Sequence, residues 1–405
     1  MKKALWIVVL IAGVMMASGC GGRKDIRIFL VPVPEGPAPF PASAFRRIPL
    51  HPQSQETLVR TPRFLGRQPL YGSMVFGNGN DSLITVVVDE PSAVLRRIWI
   101  DSNNNEDLTD DGEGFWKDVR NSVWTTSVTV SVFVRTTEGE VSHPFGIVLT
   151  RFQDRDEPSL VVRRTGYNIG EIPFKGKTYG VAVSDEDNDG VYQRDRTTIA
   201  VDRNQDGICD GSPESAERAE PGEPFDLAGT GFRLAAISPD GRWLTLARTD
   251  SAVPAKPYIE PGYQAPDFSG TDLDDRPFEL VSWRGHVVVL DFWASWSGPY
   301  LHELPGLLTL HDRFSRRGLE VIGIPLDENR RACEAFVLKH GIPWKQCYTI
   351  GGWKNRIVLD YRIRSIPRFF LLDRRGVIRF ISVRSIDLAD RVEELLTESP
   401  AGSAL

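Results

Sequence analysis

From about residue 61 to residue 250 the apolar positions fall in short β-branched runs. Leu83–Val88, Arg97–Ile100, Ser127–Val134 and Tyr179–Val183 are separated by clusters of Gly, Asp, Asn and Pro. That is the pattern of strands joined by turns. Ser127–Val134 alternates polar and apolar, as a strand with one wet face does. Asp240-Gly241, after Pro239 and between two such runs, is a hairpin signal. Residues 61–255 therefore read as a β-rich domain, sandwich or barrel. The pattern changes around Pro254, Pro257, Pro261 and Pro266. Beyond them it predicts a strand over 286–292, a helix over 299–316, a strand over 319–325 and a helix over 329–340. Strands over 368–372 and 377–383 and a helix over 388–396 follow. Interleaved strands and helices of this length make an α/β layer fold over residues 263–398.

The N-terminus is of another kind. Lys2 and Lys3 precede an apolar run, Ala4–Met16, too short to cross a bilayer comfortably, and Ala17-Ser18-Gly19-Cys20 closes it. This resembles a bacterial lipobox with Ala17 in place of the usual Leu. The resemblance implies a signal peptide over 1–20, acylation of Cys20 and a lipid anchor in the bacterial cell envelope, with the body facing the periplasm. Gly21 rather than Asp favours the outer membrane. Residues 21–60, with Pro32, Pro34, Pro37, Pro39, Pro41 and Pro52, read as an extended tether. No later run is apolar enough for a membrane-spanning helix. Once Cys20 is set aside, Cys209, Cys333 and Cys347 remain, allowing at most one internal disulfide.

Charge narrows the partners. A net charge of −6 over 405 residues gives no surface for a polyanion, so nucleic acid is not expected. Acids are locally dense instead: residues 181–225 hold twelve against four bases, which a bound cation would neutralise. The same stretch contains Asp185-Glu186-Asp187-Asn188-Asp189-Gly190 and Asp202-Arg203-Asn204-Gln205-Asp206-Gly207. Both follow D-x-[DN]-x-D-G, where side chains at positions 1, 3 and 5 converge and glycine at position 6 permits the turn. Asp101, Asn103 and Asn105 form a looser copy, with Glu106 at position 6. These loops resemble EF-hand-like or dockerin-type calcium loops, and the resemblance implies structural Ca2+. Position 12 departs from the pattern, being Gly112, Arg196 and Pro213. Asp110, Asp111, Asp195, Asp210, Glu214 and Glu217 are nearby substitutes. The alternative is a set of Asx turns without metal.

The last third carries spaced motifs. Tyr263-Gln264-Ala265-Pro266-Asp267-Phe268 is followed by Pro277-Phe278-Glu279-Leu280, Trp283-Arg284-Gly285 and the run Val287–Trp293. Then come Ala294-Ser295-Trp296, Glu303-Leu304-Pro305, and Ser365-Ile366-Pro367-Arg368 leading through Phe369–Asp373 to Gly376. Together they resemble the redoxin, TlpA/ResA-type thioredoxin-like family over about 135 residues. The resemblance implies a thioredoxin fold, a cis peptide before Pro367, and peptide contact at Trp296, Ile366 and Pro367.

It also implies thiol–disulfide exchange, and there the chain departs. The family's W-C-x-x-C is here Trp296-Ser297-Gly298-Pro299-Tyr300. A thiolate at the helix N-terminus attacks a disulfide and a second thiol resolves it; Ser297 and Tyr300 do neither. Ser297 reads as a helix cap before Pro299 rather than as a nucleophile, since none of His286, His302 and His311 is placed as its base. Cys333 and Cys347 are the remaining redox candidates: a structural bridge, a redox pair, or two separate buried thiols. Three functions follow. The leading one is a redox-inactive envelope lipoprotein whose degenerate thioredoxin domain binds an extracytoplasmic peptide or protein. The others are an oxidoreductase using Cys333 and Cys347, and a surface protein in which the β domain does the work.

Overall fold

The computed structural model describes residues 25–34, 39–40, 45–92, 95–114, 116–120, 123–152 and 157–398. The expected signal peptide over 1–20 and the expected acylation site Cys20 lie outside them. The chain divides into two compact units, Met1–Ala255 and Lys256–Leu405.

The first unit is β throughout. Eight antiparallel strands form one sheet in the spatial order Arg218–Ala219, Thr197–Val201, Lys177–Asp185, Tyr167–Phe174, Ile26–Val33, Trp243–Arg248, Thr230–Ile237, Phe225–Leu227. Every one of these strands sends residues into a single apolar cluster, from Ala219 and Ile199 through Ile28 and Leu30 to Phe232 and Leu227. A sheet whose far strands share one core has to curl, and this one approaches a barrel. A five-stranded sheet built around the long hairpin Val123–Thr136/Gly139–Phe152 faces the three strands Leu70–Val75, Leu83–Asp89 and Arg97–Ile100. Val130, Val132, Ile147 and Leu149 from one and Ile84, Val86, Val88 and Ile98 from the other make a second core. That is a small sandwich. The unit contains both architectures that the sequence left open.

One expectation is overturned here. Residues 21–60 are not all tether: Ile26–Val33 is an interior strand of the eight-stranded sheet, and Phe45–Pro49 pairs with Ser159–Arg164. Ile26–Phe29 pairs with Trp243–Leu246, and Leu30–Val33 pairs with Tyr167–Gly170. Alternation of Ile26, Ile28 and Leu30 with Arg27 and Phe29 buries one face, and burial outweighs the neighbouring prolines. Pro32 falls where pairing to Trp243–Arg248 has already ended, so its missing N–H leaves no gap on that side.

The second unit is a five-stranded mixed sheet in the order Lys345–Gln346, Leu319–Pro325, Val287–Trp293, Arg368–Leu372, Ile378–Ser382. The central strand runs parallel to Leu319–Pro325 and antiparallel to Arg368–Leu372. Its residues alternate between two cores. Val287, Val289 and Trp293 meet helices Gly298–Phe314, Arg330–His340 and Ala389–Thr397. Val288, Leu290 and Phe292 meet the Arg356–Asp360 helix and the Ser269–Thr271/Pro277–Glu279 hairpin. Helices on both faces of a sheet with this strand order make a thioredoxin-like fold.

Candidate functional site

The Val287–Trp293 strand is buried at every position, yet its fifth residue is an acid. The chain leaves it through Ala294-Ser295-Trp296, where Ser295 donates its N–H to Asp327 Oδ2 at 2.9 Å. The Gly298–Phe314 helix then starts. Ser297 is its N-cap, extended at φ −82° and ψ 103°, and its hydroxyl accepts the Tyr300 N–H at 3.4 Å. Pro299 fills the first turn, where its missing N–H leaves no intrahelical bond unmade. Ser297 is 5% exposed, and among the described residues no histidine bonds its hydroxyl. It caps the helix and has no base to activate it.

Tyr300 points inward. It is fully buried, and its hydroxyl donates to Asp291 Oδ2 at 2.8 Å. Its ring stacks on Trp293 with centroids 4.9 Å apart, and Phe336 packs against both rings, 5.0 Å from Trp293 and 6.1 Å from Tyr300. The Trp293 indole in turn donates to Gln346 Oε1 at 2.9 Å. Asp291 Oδ1 is buried without a partner. Burial pushes the Asp291 carboxyl up to about 8, against the opposing pull of the Tyr300 hydrogen bond. Burial and then the adjacent carboxylate hold the Tyr300 phenol above its ordinary value. The position where the family keeps its second sulfur thus holds a packed ring tied to a buried acid.

Ile366–Pro367 is a cis peptide. Arg368 pairs with Phe292, which brings Pro367 to the same end of the sheet as Trp293 and the start of the helix. Trp296 is 60% exposed and Ile366 half-buried, so the three expected peptide-contact residues share one end of the fold.

Of the three readings left open for Cys333 and Cys347, the structure shows two separate buried thiols, not a bridge or a redox pair. All three cysteines described are free. Cys333 belongs to the core on the helix Gly298–Phe314 side of the sheet, whereas Cys347 belongs to the core on the other face. Burial pushes each thiol up to about 12, so neither is a ready thiolate. Cys209 is held up to about 12 in the same way, packed near Phe40, Ala182 and Ala200.

The three aspartate loops share a backbone. Position 4 is left-handed in each (Asn104 φ 60°, Asn188 54°, Gln205 61°), as is position 6 (Glu106 59°, Gly190 83°, Gly207 88°). The first aspartate accepts from the amide at position 6 at 2.9 to 3.0 Å in all three. Their carboxylates are not equally gathered. Among the described residues, those of Asp185, Asp187 and Asp189 are the ones grouped with ligand oxygens within 4.8 Å of one another. Of the possible substitutes at position 12, Asp110 accepts from the Asn105 side-chain Nδ2 at 2.9 Å and Glu217 from the Asp210 N–H at 2.9 Å.

Sequence reasoning missed Asp291. Its signal was present: a lone acid inside Val287-Val288-Val289-Leu290-Asp291-Phe292-Trp293, a run with no polar alternation to place it at the surface.

Residues 261–381 match the AhpC/TSA family. The thiol-disulfide oxidoreductase ResA of Bacillus anthracis is 30% identical over 123 residues, covering 30% of this chain and 69% of the relative. The thioredoxin-like protein YneN of Bacillus subtilis is 29% identical over 137 residues, 34% of this chain and 79% of that one. A solved putative thiol:disulfide interchange protein DsbE from Chlorobium tepidum aligns at 25% identity over 34% of this chain and 98% of its own, with a TM-score of 0.32.

Proposed function

Through residues 261–381 this chain belongs to the AhpC/TSA redoxins, alongside ResA-type thioredoxin-like proteins, and on that premise we propose that it has kept the fold and given up dithiol exchange. The domain serves as a binding module for an extended peptide or protein segment in the bacterial envelope. One observation carries this reading: Tyr300 fills the second sulfur's place with a phenol bonded to Asp291, while Ser297 spends its hydroxyl on the helix cap. Two electrons cannot pass between dithiols through an alcohol and a phenol. Peptide contact rests on exposed Trp296 and on the cis Ile366–Pro367 peptide at the same end of the sheet. Anchoring rests on the lipobox resemblance at Cys20.

Insulin reduction by the purified full chain with dithiothreitol tests the central claim. The expected rate is that of dithiothreitol alone. A rate well above it that disappears in Cys333→Ser would establish the oxidoreductase alternative instead. Incorporation of a labelled fatty acid, abolished by Cys20→Ser, is expected for the anchor.

A further inference from the structure

The Asp185–Gly190 loop leaves the end of the Lys177–Asp185 strand and returns at Thr197, which pairs with Asp185. Asp185 is 0% exposed. Its Oδ2 accepts the Gly190 N–H at 2.9 Å, but its Oδ1 is buried and has no hydrogen-bond partner. Asp187 Oδ1 is buried and unpartnered as well. Two adjacent carboxylate oxygens that no protein donor reaches are costly to bury, and either a proton shared between them or a cation offsets that cost. Asp189 brings a third carboxylate within the same 4.8 Å. Two oxygens on a calcium ion at about 2.4 Å lie at most about 4.8 Å apart, and every pair among the three meets that limit.

We propose that the buried, unpartnered Oδ1 atoms of Asp185 and Asp187, with the Asp189 carboxylate, form the binding site for one calcium-type divalent cation. The donor set is hard oxygen with no imidazole or thiolate, which selects against zinc and copper. The other two loops are not included. Both oxygens of Asp101 are taken by the amides of Asn105 and Glu106, and both of Asp202 by those of Asp206 and Gly207.

Nearby arginines do not answer the orphan oxygens. Arg46 donates to the Asn188 carbonyl at 2.9 Å and Arg164 to the Asp185 carbonyl at 3.3 Å. Arg196 pairs with the other oxygen of Asp187, Oδ2. It stands at loop position 12, held there by the Glu186 N–H bond to its carbonyl at 2.9 Å. An EF-type loop places a bidentate carboxylate at that position, so a cation here is bound weakly, with a Kd on the order of 10⁻⁴ to 10⁻³ M.

Calorimetric titration of the chelator-treated full chain with CaCl2 tests the site. Saturable binding in that range is expected in the wild type, and its loss in D187N/D189N with the circular dichroism spectrum unchanged. R196E, which puts a carboxylate at position 12 and removes the competing cation, is expected to tighten binding at least tenfold. This gain keeps the test decisive if the double variant does not fold. No saturable binding in the wild type, wild-type binding in D187N/D189N, or unimproved affinity in R196E overturns the proposal.

Discussion

At the scale of single residues, the Tyr300–Asp291 hydrogen bond ties the start of the Gly298–Phe314 helix to the central strand. Tyr300→Phe keeps the ring on Trp293 and removes the one donor to a buried acid. A loss of about 1–3 kcal/mol is expected in urea unfolding, since an unsatisfied buried polar group costs that much. Asp291 itself gives a pH signature. Its folded value, about 8, lies above that of an unfolded aspartate, so the stability it contributes is complete below about pH 4 and is lost as pH rises through 8. Asp291→Asn cannot ionise. Between pH 5 and pH 9 the wild type is expected to lose stability relative to this variant, by on the order of a few kcal/mol. Parallel unfolding curves at the two pH values are the check; equal losses in both proteins would remove the claim. Neither partner of this bond was legible as a pair in the sequence. Asp291 and Tyr300 sit on different elements, and only the folded register of strand and helix brings their side chains together.

Among elements, the Gly298–Phe314 helix start has kept what a thiolate would need except the sulfur. Its first-turn amides lie above the sheet end, the cis Ile366–Pro367 peptide is at the same end, and Asp291 is beneath. Installing Ser297→Cys and Tyr300→Cys together is therefore expected to create insulin reductase activity from none, at some cost in stability from the lost ring. Activity no higher than that of Ser297→Cys alone would show that more than two residues were lost. Strand and helix order here was readable because long periodic runs dominate: Leu319–Pro325 and Arg368–Leu372 fall on their expected bounds. The two-residue strand Lys345–Gln346 and the five-residue helix Arg356–Asp360 carry too little pattern to be seen. Ile26–Val33 was hidden for a different reason. Prolines around a short alternating run signal a linker, and only its partners Tyr167–Phe174 and Trp243–Arg248, far away in sequence, reveal a strand.

For the molecule as a whole, the cysteine ledger separates the competing functions. The three cysteines of the described residues were compatible with one bridge by count alone. The strands show why Cys333 and Cys347 do not bridge: they sit on opposite faces of one sheet. Thiol titration of the purified protein is expected to give the same number before and after reduction. Cys333 and Cys347 are expected to react only once denaturant is added. Loss of one pair of thiols under non-reducing conditions would contradict this arrangement. The β-rich unit was legible as a class and not as a topology, because its cores join strands separated by more than a hundred residues, such as Ile28 with Leu244.

The incorporation of Ile26–Val33 into the interior of a sheet sets a length. An acyl group on Cys20 would be six residues from the first strand residue, and whatever their conformation six residues reach no more than about 22 Å. The β unit would then stand close over the lipid headgroups, moored on a short line, and its partners would have to come to the membrane surface to meet it.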